Sequence, residues 1–388
     1  MNKALKDILS CVPHGGSIDW SRLESTVLSA TFEKMRATEQ NPVHHGEGNV
    51  YLHTRAVCES LASLPEYRLL SENEQNILFL AALLHDIGKP VCTKTEEGVI
   101  VSPHHCSAGA AIARNLMWRE LGACGEESLR DLRESVCALI RYHSFPPHAA
   151  ERNDAERYFH RIACLGELAR GFSVRALCLL EKADILGRIS QDNGEWLERV
   201  EYCLMMAEEF ECADAPFPFA SDTAKRAYFQ KKTSWRQEEV YDSSWGEVIL
   251  MAGLPGTGKD TWIRENTPDI PMISLDAWRA KLGIAPGANQ SKVLAAARDE
   301  AREYLRKKQP FVWNATSLIE AHRSSQISLF EAYGASVRTV FLETDWNEGL
   351  RRNSERQARV PESVIENMLS KMTLPERHES RRVEWEIT

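Results

Sequence analysis

The sequence has 388 residues, of which 43% are hydrophobic, and its formal net charge is −9. This length exceeds the roughly 100–200 residues of a typical single domain, so we expect at least two domains with cores of their own. The negative net charge excludes a basic protein that coats nucleic acid, although it leaves room for a local basic groove. No stretch approaches the roughly 18 consecutive apolar residues of a membrane helix, so we expect no membrane partner.

The ten cysteines are scattered along the chain and form no C-x-x-C pair. Such spacing in a chain of this length is typical of free, buried thiols in a reducing compartment. The first residues lack the apolar stretch that follows the positive charges of a signal peptide. These features together predict a cytoplasmic protein.

Composition divides the chain into two unlike parts. All ten cysteines precede residue 213, and ten of the twelve histidines precede residue 161. A run rich in proline and aromatic residues, DAPFPFAS from Asp214, marks the seam. We predict a first domain over residues 1–195, a connecting segment over 196–245 and a second domain over 246–388.

Apolar residues at three- and four-residue spacing predict helices throughout the first domain. The clearest of these helices span Val50–Leu64, Glu74–Leu84, Ala108–Leu121, Leu132–Arg141 and Val174–Ile189. The second domain alternates helical stretches with short β-rich runs that begin at Glu247, Asp269, Pro310 and Ser336. The predicted fold is an all-α helical bundle followed by an α/β domain with a mainly parallel sheet.

Histidines and aspartates lie on or beside the predicted helices of the first domain. The apolar run ILFLAALL ends in His85 and Asp86, and buried charge of this kind is costly unless it pairs or coordinates an ion. Other members of the series are His53, His104, His105, His143 and Asp184. A lone histidine here would be an ordinary core or surface residue. Because helical bundles build metal sites from facing helices, we predict that the whole series converges.

In this order the series resembles the HD phosphohydrolase superfamily, over about residues 44–190. The resemblance implies one set of metal ligands formed by His53, His85, Asp86 and Asp184. It also implies that His143 and either His104 or His105, with His105 favoured by spacing, serve a second metal ion or the phosphate. Such ligands suit manganese, nickel, cobalt, iron or zinc, and the sequence does not choose among them or between one ion and two.

Two cations accompany these ligands: Lys89 follows Asp86 by three residues, and Arg188 follows Asp184 by four. Each is a candidate catalytic residue that holds a phosphate oxygen beside the metal. Lys89 is equally plausible as a cation that opposes a helix dipole. Since two metal ions can activate a water and clamp a phosphoester, the predicted activity is hydrolysis of a phosphoester. His44, His45 and Glu47 are weaker candidates for the mouth of this site.

The first strand of the second domain leads into the segment GLPGTGKDT, which matches G-x-x-x-x-G-K between a strand and a helix. In this context backbone amides and the helix N-terminus hold nucleotide phosphates, and the lysine reaches the terminal ones. The predicted nucleotide-binding residues are Gly253, Leu254, Pro255, Gly256, Thr257, Gly258, Lys259, Asp260 and Thr261.

Asp260 stands where a hydroxyl that contacts magnesium is usual. Either Asp260 binds the metal, directly or through water, or Thr261 takes over this role. An additional carboxylate beside phosphates requires a cation between them. We therefore predict a nucleoside triphosphate, ATP or GTP, bound with Mg²⁺.

Asp276 and Arg279 follow the second strand, at the edge where α/β sheets bind ligands. Asp276 is a candidate base for an attacking hydroxyl, and Arg279 a candidate ligand of an acceptor phosphate. A helix N-cap and a surface cation are the alternatives. Further on, Arg352, Arg356 and Arg359 fall on one predicted helical stripe, typical of a lid over a transferring phosphoryl group or of a solvated basic face.

These motifs resemble the kinase domain of phage and bacterial polynucleotide 5′-kinases. The shared patterns are the G-x-P-G-x-G-K loop followed by Thr-Trp, the D-x-x-R motif from Asp276, and the R-N-S-x-R lid from Arg352 ahead of Val-Pro. The resemblance implies that Lys259 and Arg356 bind the donor phosphates. It also implies that Asp276 is the base toward a 5′-hydroxyl and that Arg279 binds the neighbouring phosphodiester.

The third strand departs from this family. It ends in Asn314, Ala315 and Thr316, where the phage enzymes carry D-T-N. The role of the missing carboxylate is either vacant or taken by Asp260.

The order of the two modules resembles the bacterial HD-domain polynucleotide kinases, which heal RNA ends. The resemblance implies phosphorylation of a 5′-hydroxyl and removal of a 2′,3′-cyclic phosphate or a terminal 2′- or 3′-phosphate. RNA ends, or DNA ends, would be the substrate. A separate ligase would be the partner, because no ligase motif is visible. Two alternatives remain: a small-molecule or nucleoside kinase fused to a nucleotide phosphohydrolase, and a non-catalytic sensor gated by the P-loop. The oligomeric state leaves no trace in the sequence.

Overall fold

The computed structural model describes residues 1–388 except Pro286, Gln357 and Ala358. The chain forms two compact units, Met1–Phe217 and Pro218–Thr388. This division lies within the proline- and aromatic-rich run. The predicted connecting segment 196–245 is therefore not a separate linker, since its first part belongs to one unit and its second part to the other.

The first unit is built from helices. In chain order they are α1 (Lys3–Leu9), α2 (Trp20–Glu24), α3 (Ser29–Arg36), α4 (Val50–Ser63), α5 (Pro65–Arg68), α6 (Glu72–Leu84), α7 (Lys89–Cys92), α8 (His105–Arg119), α9 (Glu127–Tyr142), α10 (Ala155–Ala163), α11 (Val174–Gly187) and α12 (Asn193–Glu209). A hairpin of β1 (Lys94–Glu96) and β2 (Val99–Val101) lies between α7 and α8. Two 3-10 helices span Pro146–Glu151 and Cys164–Glu167.

The centre of the first unit is α6, which is buried without interruption from Ile77 to Leu84. A helix that is apolar on every side belongs in a core, and here α4, α9 and α11 pack around it. Its start is fixed by a capping box, in which Ser71 and Glu74 exchange side-chain to backbone hydrogen bonds. The helix ends at Leu84 with His85 as its C-cap, so the packing of α6 delivers the His85-Asp86 pair to the interior.

The helix α12 explains why the first unit extends beyond residue 195. Its residues Val200, Cys203 and Ala207 are buried, and the helix packs on α11. The apolar spacing of α12 thus adds a further layer to the helical bundle. The predicted connecting segment begins, in fact, inside this helix.

The second unit is an α/β domain around one sheet. Its strands are β3 (Glu247–Ala252), β4 (Met272–Ser274), β5 (Val312–Asn314), β6 (Ser336–Glu343) and β7 (Arg382–Ile387). Its helices are α13 (Asp222–Phe229), α14 (Lys259–Asn266), α15 (Leu275–Leu282), α16 (Ser291–Arg306), α17 (Glu320–Ala332), α18 (Trp346–Ser354) and α19 (Glu362–Ser370). The strand order is β4-β5-β3-β6-β7, and every neighbouring pair is parallel. The predicted fold class, a helical bundle followed by a parallel α/β domain, is confirmed.

The sequence prediction omitted β7. Charged and apolar residues alternate along it, with Val383 completely buried and Arg382 exposed. This alternation is typical of a strand at the edge of a sheet, and β7 extends the sheet beyond β6. Within the described residues, no helix is both long and apolar enough to cross a membrane.

Candidate metal centre and nucleotide site

The side chains predicted as metal ligands converge inside the first unit, with one exception. The converging residues are His53 on α4, His85 and Asp86 after α6, His105 at the start of α8, His143 after α9, and Asp184 on α11. All but His105 are at most 2% exposed. The His105 side chain is 20% exposed and therefore marks the accessible side of the cluster.

His53 and His85 face one oxygen of Asp86, its Oδ2, and Asp184 faces the same two histidines. The distance from His85 Nε2 to Asp86 Oδ2 is 3.2 Å, and that from His53 Nε2 is 3.7 Å. Asp184 Oδ1 lies 2.8 Å from His53 Nε2 and 3.9 Å from His85 Nε2. Four potential ligand atoms thus enclose one small space, which we call the inner group.

His105 and His143 face the other oxygen of Asp86, its Oδ1. Their Nε2 atoms lie 3.3 Å apart, and they lie 3.6 Å and 4.0 Å from Asp86 Oδ1. We call His105, His143 and this oxygen the outer group. Asp86 therefore offers one carboxylate oxygen to each group and would contribute a ligand atom to an ion held at either.

Backbone carbonyls set the orientation of three of these histidines. The Nδ1 atoms of His85, His105 and His143 lie 2.8, 2.8 and 2.7 Å from the carbonyl oxygens of residues 82, 102 and 140. When Nδ1–H donates to a carbonyl, Nε2 keeps its lone pair and can bind a metal. In each case the backbone carbonyl three residues earlier in the chain orients the ring so that Nε2 is available as a ligand.

Two buried atoms of the cluster, His85 Nε2 and Asp86 Oδ1, make no hydrogen bond among the described residues. The other atoms are close to charged partners, since His53 Nε2 lies 2.8 Å from Asp184 Oδ1 and Asp86 Oδ2 lies 2.7 Å from Lys89 Nζ. Buried polar atoms are normally hydrogen-bonded, so such atoms within a cluster of ligand-type side chains fit a bound cation. Burial would raise the pKa of Asp86, but His85 and Lys89 hold it well below its usual range, which keeps the carboxylate charged. The residues present fit a divalent metal ion.

The two predicted cations flank the cluster. Lys89 is buried, and its Nζ lies 2.7 Å from Asp86 Oδ2 and 2.6 Å from Gln40 Oε1. Arg188 forms an ion pair with Asp184. Lys89 is the first residue of the four-residue helix α7. Both cations thus pair with carboxylates of the cluster.

His104 is the exception among the predicted ligands. It precedes α8 in the left-handed backbone conformation, with a φ angle of 61°, and its side chain is exposed. This conformation turns His104 away while His105, the first residue of the helix, faces inward. The cluster thus includes His105 and leaves out His104.

Two residues in contact with the cluster were missed or undervalued in the sequence. Glu47 Oε1 lies 2.8 Å from His53 Nδ1 and 2.9 Å from His45 Nδ1, so Glu47 supports a ligand rather than lining a mouth. Cys106 Sγ lies 3.4 Å from His105 Nε2. The position of Cys106 directly after a candidate ligand was the signal available in the sequence, but scattered cysteines gave no ligand spacing.

In the second unit, the P-loop joins β3 to α14. Gly256 has a φ angle of 86°, and a Cβ atom there would lie 2.2 Å from the carbonyl oxygen of Gly349. Only glycine allows this close approach of two backbones. Lys259 Nζ donates to the carbonyl oxygens of Gly253 and Leu254, at 2.9 and 2.7 Å. The lysine side chain thus contacts the backbone of the P-loop itself.

Charged side chains of the predicted kinase site shift the pKa of Lys259. Burial lowers the pKa of Lys259 to about 8, and the Arg356 cation acts in the same direction, while Asp260 and Asp276 oppose it. Arg356, Asp260 and Asp276 therefore all lie within electrostatic reach of Lys259. This is the carboxyl edge of the sheet, where α/β domains bind ligands.

Asp276 and Arg279 form an ion pair on the first turns of α15. The N-cap of α15 is Ser274, whose hydroxyl accepts a hydrogen bond from the amide of Ala277, so Asp276 does not act as the cap. Arg356 Nη2 lies 3.7 Å from Asp276 Oδ2. The Asp276 side chain is 67% exposed and is thus accessible to an acceptor.

The arginine stripe of the sequence prediction is wrong as a continuous helix. The helix α18 ends at Ser354, so Arg352 lies on it while Arg356 and Arg359 lie beyond its end. Asn353 explains the end of the helix, because its side chain bonds both the carbonyl and the amide of Val360, at 2.8 and 3.1 Å. Arg352 bonds Glu348, with 2.7 Å between Nε and Oε1, on the same helix.

Two family models match the chain: the HD domain over residues 49–189 and the AAA domain over residues 248–375. The chain joins an HD phosphohydrolase domain to a P-loop kinase-like domain. HD domains bind divalent metal ions, and P-loop kinases use a nucleotide with Mg²⁺. The inner and outer groups lie within the residues matched by the HD model, and the P-loop lies within those matched by the AAA model.

Three relatives extend the comparison. The chain is 23% identical to L-seryl-tRNA(Sec) kinase of Methanococcus maripaludis over 135 residues, which cover 33% of the chain and 53% of the relative. It is 27% and 26% identical to heterogeneous nuclear ribonucleoprotein U-like protein 2 of Mus musculus and Homo sapiens, over 34% of the chain and 20% of each relative. The matches thus span between a fifth and about half of these relatives' lengths.

Proposed function

We propose that the chain is a bifunctional RNA end-healing enzyme. The second unit would transfer the γ-phosphate of a nucleoside triphosphate to a 5′-hydroxyl. The first unit would hydrolyse a 2′,3′-cyclic phosphate or a terminal 2′- or 3′-phosphate. Hydrolysis of the cyclic phosphate leaves a 2′- or 3′-phosphomonoester, and hydrolysis of the monoester releases phosphate and frees the hydroxyl. The 5′-phosphate and this free hydroxyl are the ends that a separate ligase needs in order to join two strands.

The observation that carries the kinase half is the grouping of Asp276, Arg279 and Arg356 beside Lys259. In the proposed transfer, the 5′-hydroxyl oxygen bonds to the γ-phosphorus, the bond from that phosphorus to the β–γ bridging oxygen breaks, and Asp276 receives the hydroxyl proton. Lys259 and Arg356 offset the charge of the transferring group. Arg279, paired with Asp276, is available to the phosphodiester that follows the 5′-hydroxyl.

An acceptor phosphate next to the hydroxyl distinguishes a nucleic-acid end from a nucleoside. Arg279 Nε also lies 2.8 Å from Gln290 Oε1, so the guanidinium is held in place before a substrate arrives. An orientation fixed in this way favours bidentate binding of phosphate oxygens. This supports a polynucleotide acceptor over a small alcohol.

The hydrolytic half rests on the inner and outer groups. A metal ion bound there would polarise the phosphoester and activate a water. His53, His85, Asp86 and Asp184 would hold one ion, and Asp86, His105 and His143 a second. Lys89 and Arg188 would stabilise the phosphate oxygens from two sides.

The names of the relatives lend support to RNA as the substrate. One relative is a kinase whose name specifies a seryl-tRNA, and the others are named as a ribonucleoprotein. A small-molecule kinase fused to a nucleotide phosphohydrolase would share the P-loop and the metal cluster. It would give no reason for Arg279 to stand beside the candidate base.

Acceptor choice tests the proposal. The full chain is given ATP or GTP with Mg²⁺ and either a 5′-hydroxyl oligoribonucleotide or the corresponding nucleoside. We expect phosphorylation of the oligonucleotide, with Arg279→Gln raising its KM about tenfold and the exposed Arg306→Gln leaving it unchanged. Phosphorylation of nucleosides or other small alcohols but of no oligonucleotide would reject the proposal in favour of the small-molecule kinase.

A further inference from the structure

A cavity of about 390 Å³ lies in the first unit beside the outer group. It is lined by Ser107, Arg141, Tyr142, Ser144, Phe145, His148, Arg152, Tyr158 and Arg161. Four of these residues are basic, three are aromatic and none is acidic. The cavity belongs neither to the metal ligands nor to the two cations assigned above.

The charges at this cavity favour an anion. Two of the basic side chains pair with carboxylates: Arg152 Nε lies 3.6 Å from Asp154, and His148 Nδ1 lies 3.2 Å from Glu151. Both carboxylates lie outside the lining. Three guanidinium groups around one space are the donors that bind phosphate most effectively.

The aromatic side chains favour a flat occupant. The Arg152 guanidinium lies 3.5 Å from the centre of the Tyr158 ring, and Tyr158 packs against Phe145 with ring centres 5.1 Å apart. Nucleobases stack on aromatic rings and on arginine planes of this kind. A nucleotide combines an anion with a flat ring and therefore fits both features.

One wall of the cavity adjoins the outer group. Ser144 follows the candidate ligand His143, and its Oγ lies 3.1 Å from Cys106 Sγ. Cys106 Sγ in turn lies 3.4 Å from His105 Nε2. A phosphoester held at the outer group would therefore have its attached nucleotide next to this cavity.

We propose that this cavity binds the nucleotide adjacent to the phosphate that is hydrolysed, as part of an RNA strand. The inference rests on the proposed hydrolysis at RNA ends and adds a substrate-binding site to it. The base would stack at Arg152, Tyr158 and Phe145. The phosphate that links it to the strand would face Arg141 and Arg161.

Two substitutions of exposed cavity residues test this site with little risk to folding: Arg152→Gln and Ser107→Glu. The substrates for the full chain with Mn²⁺ are a pentaribonucleotide 3′-phosphate, adenosine 3′-phosphate and glycerol 2-phosphate. We expect both variants to lower kcat/KM about tenfold for the pentaribonucleotide, through KM, and to leave glycerol 2-phosphate unchanged. The exposed Arg170→Gln is the matched control.

The outcomes separate this proposal from the proposed function. An equal loss for all three substrates, or no loss for the pentaribonucleotide, would overturn the cavity assignment. If kcat/KM falls equally for adenosine 3′-phosphate and the pentaribonucleotide, the cavity binds a free nucleotide and not a nucleotide of an RNA strand. If the wild type hydrolyses none of them, the hydrolase proposal fails. In that case, fluorescence anisotropy of the dye-labelled pentaribonucleotide tests binding at the cavity by itself. An affinity that is unchanged in both variants would overturn the cavity assignment.

A separate observation concerns Cys106 and the outer group. Its Sγ lies 3.4 Å from His105 Nε2 and 4.0 Å from His143 Nε2, while the two nitrogens lie 3.3 Å apart. With metal–nitrogen bonds of about 2.0–2.1 Å and metal–sulfur bonds of about 2.3 Å, tetrahedral ligand atoms lie roughly 3.3–3.6 Å apart. Two of the three distances match this spacing, and a small rotation of the thiol would satisfy the third.

We infer that Cys106 is a ligand of a metal ion in the outer group, together with His105, His143 and Asp86. The thiol would give up its proton when the ion binds. A sulfur ligand favours zinc, cobalt or iron over manganese. This inference narrows the metals that the histidines and carboxylates alone allow.

Cobalt provides a signal that does not depend on activity. The full chain is loaded with Co²⁺, its metal content is measured, and its near-ultraviolet absorption is recorded. We expect a sulfur-to-cobalt charge-transfer band that Cys106→Ser removes and that Cys92→Ser, a partly exposed control cysteine, retains. A band of equal strength in Cys106→Ser, or no band in a wild type that has bound cobalt, would overturn the assignment.

Discussion

The side-chain amide of Asn314 donates a hydrogen bond to Asp260, with 2.7 Å between Nδ2 and Oδ1. Asp260 stands at the hydroxyl position of the P-loop pattern, and Asn314 stands where the polynucleotide kinases that the sequence resembles carry a carboxylate at the end of the third strand. The two departures from the expected pattern therefore meet at one point. We propose that the carboxylate has moved from the strand to the P-loop helix and that the amide orients it toward the metal.

The first prediction concerns the exchange of the Asp260 carboxylate and the Asn314 amide between the P-loop helix and the strand end. Asp260→Ser should lower kcat of the kinase about a hundredfold, because the carboxylate proposed to bind the metal is lost. Adding Asn314→Asp should restore at least a tenth of the wild-type rate, since the carboxylate returns to the strand. The kinase rate of all four forms gives the coupling between the two sites.

Asn314→Asp alone supplies a further check on this pair. It brings two carboxylates within hydrogen-bonding distance, so we expect weaker activity at low Mg²⁺ that recovers as Mg²⁺ is raised. The exposed Asp269→Ser is the control for loss of a nearby carboxylate. Simple additivity of the two substitutions, without rescue, would contradict the proposed exchange.

The second prediction concerns the candidate base. Asp276→Asn should lower kcat about a hundred- to a thousandfold and leave the Kd for the nucleotide within about threefold, because only proton transfer is affected. Rapid-quench measurement of transfer, together with nucleotide binding, separates the two effects. Unaltered turnover would mean that Asp276 has no role in the transfer step.

The third prediction concerns metal binding in the first unit. Asp86 offers one oxygen to each ligand group, so Asp86→Ala should reduce the bound transition metal by both ions, whereas His143→Ala should reduce it by one. Elemental analysis of protein loaded with Mn²⁺ or Co²⁺ measures this directly. Metal should also raise the melting temperature of the wild type and not that of Asp86→Ala, since binding stabilises only the folded state.

Loss of a single ion in Asp86→Ala would contradict the bridging role. His148→Ala is a suitable control, because His148 lies in the same unit and is exposed. Its metal content should equal that of the wild type.

The fourth prediction concerns a buried ion pair that supports the kinase site. Arg323 is fully buried, bonds Glu379 with 2.6 and 2.8 Å contacts, and donates to the carbonyl of Ser317, which follows the Asn314 strand end. Glu379→Ala leaves this charge unpaired and should lower the free energy of unfolding by about 3–5 kcal/mol. Asp299→Ala, which breaks an exposed pair with Arg302, should cost at most about 0.5 kcal/mol in chemical denaturation.

Local patterns made much of the architecture predictable. The P-loop and the His85-Asp86 pair are contiguous in sequence, and helical periodicity located α4, α6, α8, α9 and α11 with ends that differ by at most five residues. The parallel sheet followed from alternating strands and helices. In each case the information lies within a few turns of the chain.

Features that depend on tertiary contacts were not predictable. The strand β7 is stabilised by pairing with β6, and its charged residues gave it no apolar run. The end of α18 depends on the bond of Asn353 to Val360, which helical periodicity ignores. His105 and not His104 joins the cluster because the backbone of His104 has a left-handed φ angle. The proposed role of Cys106 depends on its distance from His143, which follows a different helix. The division of the chain depends on how α12 packs.

The most direct measurement uses one RNA with a 5′-hydroxyl and a 2′,3′-cyclic phosphate. It is incubated with the full chain, a triphosphate labelled in its γ-phosphate, and Mg²⁺ or Mn²⁺, and both ends are followed on a gel. We predict label at the 5′ end and loss of the cyclic phosphate. Lys259→Ala should abolish only the first and Asp86→Ala only the second. Turnover of free nucleotides without label transfer to any oligonucleotide would contradict the proposal of RNA end healing.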